Sequence, residues 1–257
     1  MHPILFEMFG LKVYSYGAMV ALAFLSGIAL MVHRAKKAGD NPDTYLEAAI
    51  WFIIAGIFGA RLFYFLWYPQ VLFANPMGAI LSQGGLVWYG GVIAVLLATL
   101  LYTRVKKVPL FHFTDIVAPS AALGLAIGRI GCFLSGCCYG SASTFPWAVA
   151  YPATHETHGL PVHPAPLYET TLMLVVMGLL LRLDQKKRFE GFTTGSFFVF
   201  AGLVRFILEY IRGDRLVWIQ SLGLSASQVI SLGILLVGAI MLFIASRQKK
   251  TVAQAGA

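Results

Sequence analysis

Seven stretches of this chain run for close to 20 residues with almost no charge, and few folds accommodate that pattern. They lie at about Val13–His33, Tyr45–Trp67, the glycine pair at 90–91 to Tyr102, Phe111 to just past Arg129, Pro166–Leu183, Phe192–Ile211 and Ser225–Ala245. A hydrocarbon layer about 30 Å thick takes about 20 helical residues to cross, and its backbone groups must bond within the segment. Charged residues make up only 12% of the 257 residues, against roughly 25% in soluble domains. A soluble protein with buried helices would need polar faces that most of these runs lack. The expected fold is therefore an all-α polytopic membrane protein with seven transmembrane helices, and one domain over residues 1–257.

The net charge of +8 would suggest nucleic acid if the basic residues formed a patch interleaved with aromatics, and they do not. Thirteen of nineteen fall in four short clusters: Arg34, Lys36 and Lys37; Arg104, Lys106 and Lys107; Arg182, Lys186, Lys187 and Arg188; Arg247, Lys249 and Lys250. Each cluster follows every second crossing, as the positive-inside rule requires of cytoplasmic loops. The N-terminus is thereby expected outside, in the periplasm, and the C-terminus in the cytoplasm. No basic n-region or small-residue cleavage site marks a removable leader. Thr44 with Glu47 reads as a capping box opening the second helix, residues 69–83 as a loop, and 139–164 as an outer-face loop or small subdomain.

Six basic residues remain, Lys12, Arg61, Arg129, Arg205, Arg212 and Arg215. An arginine at a helix centre costs roughly 2.5–3.5 kcal/mol to insert, so those within spans call for a partner, a cavity or a function. Under the expected topology Arg61, Arg129, Glu169, Arg205 and Glu209 all fall in the outer half of the membrane. Arg205 and Glu209 are four apart on one helix face. Two readings stay open. In one, ion pairs serve only to hold the bundle; in the other, the guanidiniums outnumber the carboxylates in order to bind an anion such as a lipid phosphate, which they grip bidentately.

Glycines surround these charges. Gly124-x-x-x-Gly128 matches a small-residue helix contact, while Gly131 and Gly136 leave room for a close approach. Two glycine pairs, Gly84-Gly85 and Gly90-Gly91, flank Trp88-Tyr89. Cys132, Cys137 and Cys138 are the only cysteines. Their Cys-x4-Cys-Cys spacing is not that of a zinc motif, and His155, His158 and His163 are irregularly placed. Inert packing or pocket polarity, a disulfide on an oxidising face and metal binding stay open for them, with no metal expected. Tyr16, Tyr89 and Tyr139 are candidates for interfacial anchoring or for the site.

Taken in order, Tyr16-Gly17, Gly59-Ala60-Arg61, the glycine block at 84–91, Gly128-Arg129-Ile130-Gly131 within 120–140, His163-Pro164-x-x-Leu167-Tyr168-Glu169, and Arg205-x-x-x-Glu209-x-x-Arg212 resemble the prolipoprotein diacylglyceryl transferase family over about residues 10–245. The resemblance implies an inner-membrane enzyme, its site toward the outer leaflet, that moves the diacylglyceryl group of phosphatidylglycerol to the lipobox cysteine of a prolipoprotein and releases glycerol phosphate. Its partners are then phosphatidylglycerol, the lipobox signal peptide and membrane lipids, with no nucleic acid and no cofactor. The matched residues imply Arg129, Arg205 and Tyr16 as catalytic; Tyr89, by its own chemistry, is a fourth candidate, able to bond the headgroup or steer the thiol. Arg61, Gly85, Gly90, Gly91, Gly131, Gly140, Glu169, Glu209 and Arg212 are implied in substrate binding, and Cys132, Ser135 and Cys137, standing within the same motif, are candidates beside them.

The chain departs from better-known members at three points. Tyr89 stands where they carry histidine, Cys132 and Ser135 where they carry asparagine, and Cys137 where they carry glutamate. A mechanism resting on a histidine base or on that glutamate does not transfer. The residues suit a thiolate nucleophile whose leaving phosphate is stabilised by arginine. A transporter or binding protein for an anionic substrate, or a transferase with another lipid acceptor, would use the same charges; no internal repeat of the transporter kind is visible.

Overall fold

The computed structural model describes residues 2–8, 11–74, 85, 87–185, 189–213, 217–219 and 223–255. Gly84 and Leu86 of the glycine block, Lys186, Lys187 and Arg188 of the third basic cluster, and Arg215 lie outside them. Strands β1 (Ile4–Met8) and β2 (Leu11–Tyr14) lead into α1 (Ser15–Ala38), α2 (Pro42–Trp67) and the short α3 (Pro69–Ala74). Then come α4 (Trp88–Val105), α5 (Leu110–Ser135), β3 (Val149–Ala150), β4 (Pro161–Val162), α6 (Ala165–Gln185) and α7 (Phe192–Leu208). A 3-10 turn, Glu209–Ile211, continues α7, followed by β5 (Val217–Ile219), β6 (Leu224–Ser225) and α8 (Ala226–Ala255). All three strand pairs are antiparallel and two-stranded.

Seven helices among the described residues are long and apolar enough to cross a membrane. They match the seven runs of the sequence, and the fold is a polytopic helical bundle. Their outer surfaces are apolar: Leu25 and Leu66 are each 68% exposed and Phe58 66%. In water such surfaces would be large unsatisfied patches, whereas in lipid they need no partner.

The chain divides into two compact units, one of Met1–Met31 with Thr114–Ala257, the other of Val32–Phe113. In the first, Ala122 and Ala126 of α5 pack with Met173, Val176 and Leu180 of α6 and Val204 and Leu208 of α7. Without a hydrophobic drive between helices in lipid, small residues set close packing. Along α7 and α8 a Cβ at Gly238 would stand 2.8 Å from the carbonyl of Gly195, and one at Gly202 would stand 3.0 Å from that of Ser231. Asp115 of α5 is fully buried and accepts from the backbone N–H groups of Gly191 and Thr194, each at 2.8 Å. It thereby caps the positive start of α7 from another helix.

In the second unit, α2 and α4 cross on glycine. A Cβ at Gly90 would lie 2.5 Å from the carbonyl of Gly59, and one at Gly59 would lie 2.6 Å from that of Gly90. The start of α2 differs from the capping box read at Thr44 and Glu47. Asn41 is the N-cap, its side chain accepting from the N–H of Asp43, with Pro42 opening the helix. Pro42 has no N–H to satisfy and a φ already set for the first turn, so the helix starts before Thr44. Glu47 pairs instead with Lys106 at 2.7 Å.

Candidate functional site

Five charged side chains of the first unit form one chain of ion pairs. Arg129, under two turns before the end of α5, places Nε 3.0 Å from Oε1 of Glu169, in the second turn of α6. Oε2 of Glu169 lies 4.0 Å from Nη1 of Arg205 on α7. Nη2 of Arg205 lies 3.0 Å from Oε2 of Glu209 and donates to Oγ of Ser227 at 3.1 Å. Glu209 closes the relay, its Oε2 3.8 Å from Nε of Arg212 and its Oε1 accepting from Ser225 at 2.8 Å. Helices α5, α6, α7 and α8 each contribute, so lateral convergence, which depth along the membrane could not give, is present for Arg129, Glu169, Arg205 and Glu209.

Three guanidiniums share two carboxylates in this relay. Both carboxylates are buried, and losing Glu169 outright would take from Arg129 the carboxylate it pairs with, at a cost of about 3–5 kcal/mol, while Arg205 would keep Glu209 at 3.0 Å. Nη1 of Arg205 is buried and has no hydrogen-bond partner among the described residues. A buried N–H of a cation left without an acceptor is a standing invitation to an anion. Beside Arg129, a Cβ at Gly128 would meet nothing within 4 Å. Gly128 therefore borders open space, whereas a Cβ at Gly124 would stand 3.9 Å from the carbonyl of Ala23 in α1.

The end of α5 is built by its glycine. Gly136 has φ +78°, its N–H bonds to the carbonyl of Phe133 and that of Cys137 to the carbonyl of Cys132, both at 3.1 Å. This two-bond cap folds the sixth residue back over the first and so brings Cys137 to Cys132. Cys138 then takes φ +62°, a left-handed conformation that costs a non-glycine residue about 1–2 kcal/mol. The three sulfurs end within 4.8 Å of one another. Nη1 of Arg129 reaches Sγ of Cys132 at 3.9 Å. Hydrogen bonds from Cys132 and Cys137, with Arg212 and Arg129 nearby, hold the Cys138 thiol well below the ordinary range, and sharing with the other two thiols pushes Cys137 up. Cys-x4-Cys-Cys spacing hid this cluster; Gly136, one residue before Cys137, was the signal that would have found it.

Around this core, Tyr16 in the first turn of α1 packs over Gly131, where a Cβ would stand 3.3 Å from its ring. Gly140 forms a bridge with Arg212; a Cβ there would stand 2.5 Å from that of His163 and 2.8 Å from the carbonyl of Ile211. Gly140 thus fixes Arg212 by close backbone approach. Ser135 is the last residue of α5. His155 donates from Nε2 to the carbonyl of Gly136 at 2.8 Å, which fixes the proton on that nitrogen. His163 and Trp147 both bond the hydroxyl of Tyr168, at 3.1 and 2.6 Å. The segment 139–164 is therefore tied to α6 and to the end of α7, and two of its histidines are structural bonds that sequence reading did not assign.

Arg61, Tyr89, Gly85, Gly90 and Gly91 belong to the second unit. Arg61 donates from Nη1 to the carbonyl of Gly85 at 3.2 Å and lies 5.8 Å from the ring centroid of Phe65. Gly85 has φ +78° and lies against the Tyr64 ring, where a Cβ would come within 2.6 Å. Gly90 and Gly91 face α2, and Tyr89 is 46% exposed.

Fold and site together define a multi-pass membrane protein with a buried arginine–carboxylate relay suited to an anionic headgroup. The family model for prolipoprotein diacylglyceryl transferase matches residues 3–244. The chain is 36% identical over 251 residues to the phosphatidylglycerol–prolipoprotein diacylglyceryl transferase of Clostridium tetani, covering 97% of this chain and all of the relative. It is 34% identical to the enzyme of that name from Bordetella avium, over 96% of this chain and 95% of the relative, and 32% to that of Geobacter sulfurreducens, over 96% of each. The chain belongs to the prolipoprotein diacylglyceryl transferase family.

Proposed function

We propose that this protein transfers the diacylglyceryl group of phosphatidylglycerol to the lipobox cysteine of a prolipoprotein, forming a thioether and releasing glycerol phosphate. The observation that carries this is the unbonded Nη1 of Arg205, held by a relay whose guanidiniums outnumber its carboxylates. Family membership supplies the substrates. Arg129 and Arg205 bind the phosphate and stabilise the charge that develops on it as the ester bond breaks. Preorganised cations in a water-poor site do this well, because they need no reorganisation at the moment of reaction. Glu169 and Glu209 orient the guanidiniums, and Arg212 shares Glu209.

The nucleophile is the thiolate of the acceptor, a few per cent of a free thiol at neutral pH. It attacks the primary carbon of the glyceryl group, the carbon–oxygen bond to phosphate breaks, and the electron pair leaves with glycerol phosphate. Tyr16, over Gly131, borders the cysteine segment, where Cys132, Ser135, Cys137 and Gly140 shape the acceptor side. Within the second unit, Arg61 and Tyr89 are the residues proposed to meet lipid, with Gly85, Gly90 and Gly91 keeping the helix crossing on which they stand.

The whole chain acts as one transmembrane catalytic domain, with 139–164 as its outer-face subdomain. The basic clusters argue for a cytoplasmic C-terminus and a periplasmic N-terminus in a bacterial inner membrane, with the relay toward the outer leaflet. The test is purified protein in detergent with phosphatidylglycerol and a lipobox peptide. A peptide heavier by one diacylglyceryl group, with glycerol phosphate released, is expected. An unmodified peptide, with the protein folded and the lipid intact, would overturn the proposal in favour of a transporter or a lipid-binding protein.

A further inference from the structure

The cysteine cluster borders the acceptor side in this account of the reaction but is given no chemistry by it. All three thiols are free, Cys132 buried, Cys138 half-buried and Cys137 exposed, so the trio opens on one side. Zinc holds thiolates at about 2.3 Å, which sets the sulfurs of a tetrahedral site about 3.8 Å apart. Sulfurs already within 4.8 Å need to close by no more than about 1 Å to reach that spacing. Cys137 would give up its weak donation to the carbonyl of Cys132, 3.6 Å long, and the thiol–thiol hydrogen bonds within the trio would be replaced by bonds to the metal. The left-handed backbone of Cys138 is a strain that folds keep where function requires it, and here it supplies the third ligand.

We propose that Cys132, Cys137 and Cys138 bind one divalent zinc ion, and that its fourth position takes the sulfur of the acceptor cysteine. This rests on the diacylglyceryl-transfer reading and deepens it. Three protein ligands with one open position is the form of a catalytic zinc site, and a thiol that coordinates zinc is deprotonated outright. That is the task left unassigned here, because Tyr89 stands where a base would be sought and the reaction needs a thiolate. Arg129 touches both parts: its Nε is 3.0 Å from Glu169 and its Nη1 is 3.9 Å from Cys132. A sulfur held on the trio is thus brought next to the arginine that binds the phosphate. The acceptor S–H gives its proton to solvent on binding zinc, the sulfur forms the new bond to carbon, and the carbon–oxygen bond breaks with its electron pair leaving on glycerol phosphate. Zinc keeps its charge throughout, and the neutral thioether, a poorer ligand than a thiolate, departs.

The full chain, purified in detergent without chelator, should carry about one zinc per chain by elemental analysis. Cys132→Ser, Cys137→Ser and Cys138→Ser should each lose most of it. Cobalt exchanged into the wild-type protein should give near-ultraviolet thiolate bands, and its visible bands should shift with a lipobox peptide but not with the same peptide carrying serine for cysteine. Chelation should abolish transfer and zinc should restore it, a readout on wild-type protein that does not depend on any variant folding. A wild-type protein that binds no zinc after loading, zinc retained by the triple serine variant, or a disulfide among the three in the purified protein would overturn the metal site. Unchanged cobalt bands with the peptide would overturn the acceptor's place on it. Undiminished transfer after complete chelation would overturn the proposal and leave the transferase reading intact. Zinc and peptide bound as expected, but with no thioether formed from phosphatidylglycerol, would uphold the site and overturn the transferase reading.

Discussion

Glu169 sits between two arginines, and Glu169→Gln separates positioning from simple charge. The carboxylate contacts Nε of Arg129 at 3.0 Å and faces Nη1 of Arg205 at 4.0 Å, with its side chain 11% exposed. Glutamine keeps the shape and one acceptor but removes the charge. Losing a charge-assisted bond to Arg129 costs about 1.5–3 kcal/mol, less than the roughly 3–5 kcal/mol of leaving a buried cation wholly unpaired. The two guanidiniums then repel with no anion between them, and Arg129 leaves its position. Misplacement by about 1 Å lowers turnover by about 10²-fold, which corresponds to about 2.7 kcal/mol in the barrier. Because the relay gains one unit of positive charge, affinity for the anionic lipid should hold or rise. The assay is transfer to a lipobox peptide over a range of phosphatidylglycerol fractions in mixed micelles, with thermal melting in the same detergent. A lowered kcat with KM unchanged or lower is expected, with a modest fall in Tm. A raised KM at unchanged kcat, or no change in either together with an unchanged Tm, would refute the positioning role.

Other perturbations read the remaining parts of the structure. Arg129→Ala should abolish transfer with the protein still inserted in membranes, measured by product mass and by extraction; retained transfer would remove Arg129 from the chemistry. Asp115→Asn weakens two bonds at the start of α7 and should lower stability by about 1.5–3 kcal/mol, seen as a lower Tm, while activity per folded molecule is kept. Gly90→Val would push a side chain into the Gly59 carbonyl and Phe63 and should destabilise by about 1–3 kcal/mol. Gly178→Ala, which meets nothing within 4 Å, should instead raise stability by about 0.5–1 kcal/mol. The two glycine variants are compared by thermal melting.

The spanning helices were legible because a run of 20 apolar residues has one dominant use; α1, α2, α5, α6 and α7 fall within about six residues of their expected bounds, while α8 starts where expected and continues past Ala245 to Ala255. What escaped depends on local backbone geometry. The first helix turn of α2 is set by Pro42, so Asn41 caps it and Glu47 is released to Lys106. The expected loop after Trp67 begins with a short helix, Pro69–Ala74, and the N-terminal segment pairs as a hairpin, for which its few polar residues gave no period. At the site, Arg129, Arg205, Glu169 and Glu209 could be matched in depth from sequence. Which third arginine shares their carboxylates could not, and it is Arg212, brought in by the turn after α7 and by Gly140. The cysteine trio escaped because spacing rules for metal sites assume hairpins and helices, whereas here a glycine cap makes positions 132 and 137 neighbours.

The central claim is that the relay holds the phosphate of one anionic lipid, and a structure with phosphatidylglycerol bound tests it most directly. The phosphate oxygens should lie within hydrogen-bond distance of Arg129 and of Nη1 of Arg205, with Glu169 still between the two guanidiniums. A lipid phosphate seated elsewhere, with Nη1 of Arg205 still unbonded, would contradict it.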